Sequence, residues 1–202
     1  MTTDAHSLDH HNHHQMEADS TDVFGFWLYI MTDCILFAAL FAAFVVLHKP
    51  GAYGPSFRNF IELPYVLKET FFLLGSNFTF GLAMLAMYKK KRNLLKSLLF
   101  ITFLLGAGFV AMEVNEFVHL IHQGYSPVVS GSASAFFVLV ATHGFHVSMG
   151  LLWILVMIFQ ISRFKITSAV KRRLTYLGLF WNFLDIVWIF LFTIVYLLGA
   201  VQ

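Results

Sequence analysis

The sequence predicts an all-α integral membrane protein built as a bundle of five transmembrane helices. Of its 202 residues, 58% are hydrophobic and 12% are charged, and the mean hydropathy is +0.74. A soluble domain carries about 25% charged residues. The apolar residues form five long runs without the alternation of a membrane β-strand. Each run reaches the roughly 20 residues that an α-helix needs to cross the hydrocarbon core of a bilayer.

The polar segment 1–22 precedes the first run and contains no Lys or Arg. It lacks the positive region, apolar region and cleavage site of a signal peptide, so we expect a disordered tail in front of a transmembrane domain at 23–202. Its histidines are His6, His10, His11, His13 and His14. A histidine tract can bind metal, but no acids or cysteines stand at fixed spacing here, and a solvated tail is favoured.

The five runs predict five helices in order along the chain, separated by turn-forming or charged residues. The predicted spans are 24–47, 66–87, 94–121, 133–161 and 174–198. Pro50 and Pro55, each next to a glycine, mark the first break, because proline and glycine favour turns. The third and fourth runs exceed the bilayer thickness, so we expect those helices to tilt or protrude.

The Lys and Arg residues are divided unevenly between the two sides of this bundle. One side receives only Lys49, Arg58 and Lys68. The other side receives ten, namely Lys89, Lys90, Lys91, Arg92, Lys96, Arg163, Lys165, Lys171, Arg172 and Arg173. Because positive residues accumulate in the cytoplasm, the sequence predicts a cytoplasmic amino terminus and a periplasmic carboxyl terminus. Two basic clusters on the cytoplasmic side are also candidates for contact with anionic lipid headgroups, namely Lys89, Lys90, Lys91, Arg92, Lys171, Arg172 and Arg173.

Composition excludes several classes of protein. The single cysteine, Cys34, lies in the first run, so an intramolecular disulfide and a cysteine metal cluster are both impossible. No soluble basic region is present, and nucleic acid is not an expected partner. An odd number of spans without matched Gly/Pro-broken helices argues against an inverted-repeat transporter.

Ionisable residues inside the apolar runs are the first candidates for function. They are Asp33, Glu69, Glu113, Glu116, His143, His146 and Asp185. A charge at the bilayer centre costs at least about 2.5 to 3.5 kcal/mol, so each such residue needs a partner or a function.

Helix geometry divides these residues into two sets. At a rise of 1.5 Å per residue, Asp33 lies about 14 Å into the first span, and His143, His146 and Asp185 lie at a similar depth, where they could meet. The second set follows steps of three along the outer half of the third span and therefore stays near one helix face. It consists of Glu113, Glu116, His119 and His122, with Glu69 at a similar level on the second span.

Three interpretations of these residues remain open at this point. They are polar contacts that lock the helices together, since interhelical hydrogen bonds stabilise bundles in lipid. Alternatively they form a metal or haem site: Glu116 and His119 match one half of a di-iron motif, but the chain has no second half, and no histidine on another helix suits a bis-histidine haem. Thirdly, a buried carboxyl such as Asp33 is suited to reversible protonation.

Four segments resemble subunit III of the haem–copper oxidases. They are Phe24–Trp27 leading to Met31–Cys34, Gly106–Phe117, Ser134–Gly150 with the sequence Thr-His-Gly-Phe-His-Val, and Phe180–Trp188 followed by Tyr196 and Gly199. The resemblance covers nearly everything from Phe24 onward. Many members of that family have seven spans. Five spans and a histidine-rich amino-terminal tail resemble the quinol oxidase branch of the cytochrome bo type.

The resemblance implies a non-catalytic accessory subunit of a proton-pumping, oxygen-reducing quinol oxidase in a bacterial inner membrane. It implies that haem and copper belong to subunit I, that subunits II and IV complete the complex, and that phospholipid binds between the helices of this chain. It implies that subunit III supports sustained proton uptake, and it assigns Asp33 the role of an intramembrane carboxylate with a proton-linked role. It assigns structural contacts within the bundle to Glu116, His143, His146 and Asp185. Buried polar contacts are also expected for Glu69, Glu113 and Asn182.

Two positions depart from the family pattern. Asp33 stands where many relatives carry glutamate, and Asn182 stands where histidine is common. Two alternatives are retained: the equivalent subunit of a cytochrome c oxidase, and an independent small transporter that uses the buried acids.

The uneven distribution of Lys and Arg generates a test of orientation. A reporter enzyme that is active only outside the cytoplasm, fused after Gln202, should be active in whole cells. Activity only of a reporter that requires the cytoplasm would contradict the predicted orientation.

Overall fold

Five α-helices account for most of the chain. The computed structural model describes residues 3–47, 63–163 and 167–197. The helices are α1 (Thr3–Leu47), α2 (Leu63–Tyr88), α3 (Arg92–His122), α4 (Gly131–Arg163) and α5 (Ser168–Leu191), and α5 continues into a π-helical segment, Phe192–Leu197. Within those residues, five helices are long and apolar enough to cross a membrane, which confirms the predicted number.

Helix α1 is much longer than its apolar run. Its membrane-length part is Val23–Leu47, but the helix begins at Thr3, within the segment predicted to be a tail. No glycine or proline precedes Gly25, so nothing in the sequence breaks the helix there. The domain boundary at residue 22 stays a prediction. The chain divides after Ala38 into two compact units, and α2 to α5 lie in the second.

Helices α2 to α5 run in alternating directions. For α2 and α3, Thr79 meets Thr102 in the first half of α3, whereas Tyr65 reaches Met112 in its second half. Arg92 at the start of α3 bonds Ile161 near the end of α4, and Trp188 late in α5 bonds Thr70 early in α2. We call the end where α3 and α5 begin the Arg92 end, and the end where α3 stops and α4 begins the Tyr125 end.

The helix boundaries follow local chemistry. Gly124 has a φ of 90° directly after α3, a left-handed conformation that glycine adopts without a steric penalty. Helix α5 begins at Ser168 rather than at the predicted Leu174, because the Thr167 hydroxyl accepts a hydrogen bond from the Val170 amide and caps the helix. The first turns of α5 therefore contain basic residues that were expected to separate the spans, namely Lys171, Arg172 and Arg173.

Arg92 joins two helices at the Arg92 end. Its guanidinium donates to the carbonyl oxygens of Ile161, at 2.6 and 2.9 Å, and of Ser162, at 2.7 Å. These carbonyls belong to the last turn of α4 and have no partner further along that helix. Arg92, expected as a topology signal or a lipid contact, thus caps a neighbouring helix.

Trp181 on α5 packs against the three other helices of the bundle. Its indole nitrogen donates to the Ser76 hydroxyl on α2 at 3.2 Å. Its ring packs directly on the backbone of two glycines, Gly106 of α3 and Gly150 of α4. A Cβ atom would lie 3.1 Å from the ring at Gly106 and 2.8 Å from it at Gly150. Both glycines are therefore required for helix approach.

Polar side chains inside the bundle pair across helices. Trp188 of α5 donates to the Thr70 hydroxyl at 3.0 Å, and the Asn77 amide of α2 donates to Oδ2 of Asp185 at 3.0 Å. Asp185 is 5% exposed, and its Oδ1 has no hydrogen-bond partner among the described residues. Asp185 thus depends on Asn77 for its one donor within the described part of the chain.

The Asn77–Asp185 pair generates a stability test. Asn77→Leu should reduce the free energy of unfolding by about 1 to 3 kcal/mol, because it leaves a buried acceptor unsatisfied. The double variant with Asp185→Leu should cost less than the two single variants together, since both partners are then apolar. Thermal unfolding of the detergent-purified protein measures all three.

Asn182→Leu is the matched control for this cycle, because Asn182 is exposed on the same helix. Its effect should stay within about 0.5 kcal/mol. Strictly additive losses in the double variant would contradict an interaction between Asn77 and Asp185.

Candidate functional site

Three carboxyl groups converge in the half of the bundle nearer the Tyr125 end. Glu113 and Glu116 lie three residues apart on α3, on the face turned into the bundle, and are 3% and 9% exposed. Glu69 of α2 is fully buried. The contacts of Tyr65 with Met112 and of Thr79 with Thr102 set the register of α2 on α3, which places Glu69 opposite the turn that leads to Glu113.

The three carboxyls differ in their partners. The Tyr196 hydroxyl donates to Oε2 of Glu116 at 2.9 Å. Neither oxygen of Glu69 and neither oxygen of Glu113 has a hydrogen-bond partner among the residues that the structure describes. All three carboxyls lie within electrostatic range of Tyr196, so they form one group, which we call the acid cluster (Glu69, Glu113 and Glu116).

Gly144 makes room for the acid cluster on the α4 side. A Cβ atom at this position would lie 2.6 Å from Oε2 of Glu113 and would also overlap Oε1. The Glu113 carboxyl therefore packs directly on the α4 backbone, and only glycine fits opposite it.

His143 precedes Gly144 on α4 and lies among aromatic rings. Its ring is fully buried, 5.9 Å from the Phe109 ring and 5.2 Å from the Trp188 ring. His146, one turn along α4, is only partly buried, and its Nδ1 lies 2.7 Å from the Thr142 carbonyl oxygen of its own helix. Equal depth suggested that Asp185 and the two histidines could meet. The donor bound to Asp185 is Asn77, and a meeting of Asp185 with the histidines stays a prediction.

Tyr196 reaches Glu116 from the π-helical segment. This tyrosine and Val195 are fully buried. A π-helical turn widens the helix and changes the direction of the side chains that follow it, and such turns are frequent at functional sites. The sequence does not predict this contact, because nothing in it indicates where α5 widens.

An aromatic layer separates the acid cluster from the loop at the Tyr125 end. The Phe136 ring lies 5.8 Å from the Tyr196 ring and 6.4 Å from the Tyr125 ring. Burial raises the pKa of the Tyr125 phenol to about 12, although a hydrogen bond with Ser132 acts in the opposite direction. Tyr125 is therefore neutral at physiological pH, and no charge faces the cluster from this residue.

Asp33 belongs to the other compact unit and is described by itself. It is 8% exposed, and the hydroxyl of Tyr29, one turn earlier on α1, hydrogen-bonds its carboxyl. Its neighbour Cys34 is exposed.

The metal-site interpretation gains no support from the geometry. Glu116 is buried but His119, its partner in the half motif, is exposed, and its Nε2 lies 2.8 Å from Nε2 of Gln123. Within the described ranges no three histidine, cysteine or acidic side chains are close enough to hold a metal ion. The histidines before residue 15 lie where the structure describes the backbone only.

The remaining residues that the sequence singled out differ in their exposure. Lys89, Lys90, Lys91 and Arg173 are exposed, whereas Lys171 and Arg172 are partly buried. Asn182, expected to be a buried contact, is instead exposed on α5. Sequence reasoning missed Asn77 as a partner of Asp185; its signal is the polar run Ser76–Asn77 within an otherwise apolar span.

Comparison with known proteins matches this architecture to one family. The family described as cytochrome c oxidase subunit III matches residues 4–200. Cytochrome bo(3) ubiquinol oxidase subunit 3 of Pseudomonas aeruginosa is 52% identical over 98% of this chain and 94% of its own length. The protein of the same name from Buchnera aphidicola subsp. Baizongia pistaciae is 48% identical over 90% of this chain and 94% of its own. Quinol oxidase subunit 3 of Bacillus spizizenii is 41% identical over 92% of this chain and 91% of its own. The chain belongs to the cytochrome c oxidase subunit III family.

Proposed function

We propose that this chain is a non-catalytic accessory subunit of a proton-pumping, oxygen-reducing quinol oxidase in the aerobic respiratory chain. The observation that carries the proposal is the near full-length similarity to proteins named quinol oxidase subunit 3, from both Pseudomonas and Bacillus. Five membrane-length helices are consistent with a multi-pass protein of the bacterial inner membrane. The uneven distribution of Lys and Arg supports a cytoplasmic amino terminus and a periplasmic carboxyl terminus.

In this proposal, haem and copper belong to subunit I, which this chain contacts in the membrane together with subunits II and IV. The buried ionisable groups of α2 to α5 support an accessory role, because Asp185 and Glu116 accept hydrogen bonds from Asn77 and Tyr196. Glu113 is enclosed by Gly144. These residues stabilise helix contacts in our proposal and carry no electrons.

Phospholipid is the second proposed ligand. A groove of about 460 Å³ lies between α2 and α5, lined mainly by apolar atoms of residues such as Phe78, Met84 and Leu179. The groove extends to Thr175, one turn from Lys171. The exposed Lys89 directly follows α2 at the same end of the bundle. A phospholipid could place an acyl chain in the apolar groove and its anionic headgroup near these lysines.

The equivalent subunit of a cytochrome c oxidase is the competing function, since the matching family carries that description. The quinol oxidase assignment is favoured because relatives that carry that name match 98% and 92% of the chain.

Isolation of the intact complex tests the proposed function. Purification through a tag on this chain should recover a haem-bearing large subunit, and the preparation should consume oxygen with ubiquinol but not with reduced cytochrome c. Oxygen uptake with cytochrome c alone would establish the competing function. Recovery of this chain without a haem protein would contradict both.

We also propose that Asp33 carries a proton-linked role in the complex. The support is its low exposure within a membrane-length helix and its hydrogen bond from Tyr29. Asp33 is one methylene shorter than the glutamate that many relatives carry at this position, but it keeps the carboxyl group.

Chemical labelling tests the role of Asp33. A hydrophobic carbodiimide, which attacks protonated carboxyls from the lipid phase, should label this chain in native membranes at Asp33, as located by peptide mass spectrometry. Asp33→Asn should abolish the label, and Cys34→Ala, at the exposed neighbour, should retain it. Equal labelling of the wild type and Asp33→Asn would contradict the proposal.

A further inference from the structure

We propose that the acid cluster and Tyr196 form a proton-binding site, separate from Asp33, in which protons take the place of a counter-ion. This proposal does not depend on which electron donor the complex uses. Its ligand is the proton alone, held on carboxyl groups of α2 and α3.

The first support is that the described residues place no positive charge inside the bundle near the cluster. No Lys or Arg side chain of the described residues is buried, and those of α3 itself, Arg92 and Lys96, lie at the Arg92 end. Glu113 is about 30 Å along the helix from Arg92 at 1.5 Å per residue. Lys68 adjoins Glu69 in sequence but is exposed. Three ionised carboxylates in this environment would repel each other and lack solvation, which the interior of a membrane protein does not tolerate.

The second support is the pair of buried groups without partners. Glu69 and Glu113 are 0% and 3% exposed, and none of their four carboxyl oxygens has a hydrogen-bond partner in the described part of the chain. A neutral carboxyl loses far less solvation energy than a carboxylate when it is buried in this way. The geometry is therefore that of two acids in the neutral form.

Glu116 differs from both, because Tyr196 supplies a donor. A hydrogen bond to an ionised acceptor is stronger than one to a neutral acceptor, so the bond at 2.9 Å stabilises the charged form of Glu116 selectively. Any single negative charge in the cluster therefore resides on Glu116. Its charge in turn opposes ionisation of Glu69 and Glu113, which lie in electrostatic range. The cluster exchanges one proton and retains two.

The other titratable groups that face the site do not alter this assignment. From α4, the buried His143 is packed against the rings of Phe109 and Trp188, and the partly buried His146 lies next to the backbone of Thr142. From α2, Tyr65 donates its hydroxyl proton to the Met112 carbonyl oxygen. On the π-helical segment, Tyr196 is the donor already counted. His119 on α3 is exposed.

Infrared spectroscopy of the assembled oxidase complex tests the site. Protonated carboxyl groups give a carbonyl-stretch band, distinct from carboxylate bands, that shifts to lower frequency in D₂O. Glu69→Gln and Glu113→Gln should each remove the signal of one carboxyl group from that band at neutral pH, with assembly and haem content unchanged. Loss of carboxylate signal instead, with the carbonyl band intact, would overturn the proposal.

Three further variants identify the exchanging group and provide a control for nonspecific effects of substitution. In a pH titration, the wild type should lose the signal of one carboxyl group, and Tyr196→Phe should move that loss to higher pH, because Glu116 then lacks its donor. Gly144→Ala should shift the Glu113 component, since the added Cβ overlaps its oxygens, whereas Gly81→Ala, with nothing within 4 Å, should leave the spectrum unchanged. Loss of two or three carboxyl signals together in the wild type, or no effect of Tyr196→Phe on the titration, would refute the assignment.

Discussion

The contact of Trp181 with glycine backbones is the constraint on which the rest of the bundle depends. One indole on α5 fills the space left by Gly106 and Gly150 on two neighbouring helices, and its nitrogen bonds Ser76 on a third. In lipid, apolar side chains gain nothing by leaving solvent, so close packing and interhelical hydrogen bonds must hold helices together. Trp181 supplies both at one point and thereby sets the spacing of α2 to α5.

That spacing determines the chemistry of the acid cluster. Since α3 and α4 approach closely enough for Glu113 to rest on the backbone of Gly144, no side chain fits between Glu113 and α4. The aromatic layer of Tyr125, Phe136 and Tyr196 then covers the same region toward the loop. Among the described residues, the Tyr196 hydroxyl is the hydrogen-bond donor that this packing leaves to the cluster.

The sequence predicts where the helices lie along the chain better than it predicts which residues of different helices contact each other. Long apolar runs reveal five helices because a membrane fixes the length of a span, and in-helix spacing correctly placed Glu113 and Glu116 on one face. Depth alone, however, fixes neither the rotation of a helix about its axis nor its neighbours. Depth therefore indicates neither that Asn77 is the donor to Asp185 nor that the His143 ring lies 5.9 Å from the Phe109 ring. The start of α5 and the widening near Tyr196 depend on a cap and on tertiary packing, for which the apolar pattern carries no signal.

An accessory subunit without electron carriers can act on its partners only through packing and charge. The described helices expose large apolar side chains such as Phe71, Phe78 and Phe145, at 65%, 70% and 65%, so their outer surface suits lipid or apolar faces of other subunits. The acidic side chains Glu69, Glu113, Glu116 and Asp185 are buried instead, in an interior where a change of one proton alters the local charge. Charges interact over a longer distance in such an interior than in water, because the surroundings screen them weakly. The proposed exchange of a proton at Glu116 would therefore act on an adjoining subunit more strongly than exchange on an exposed residue.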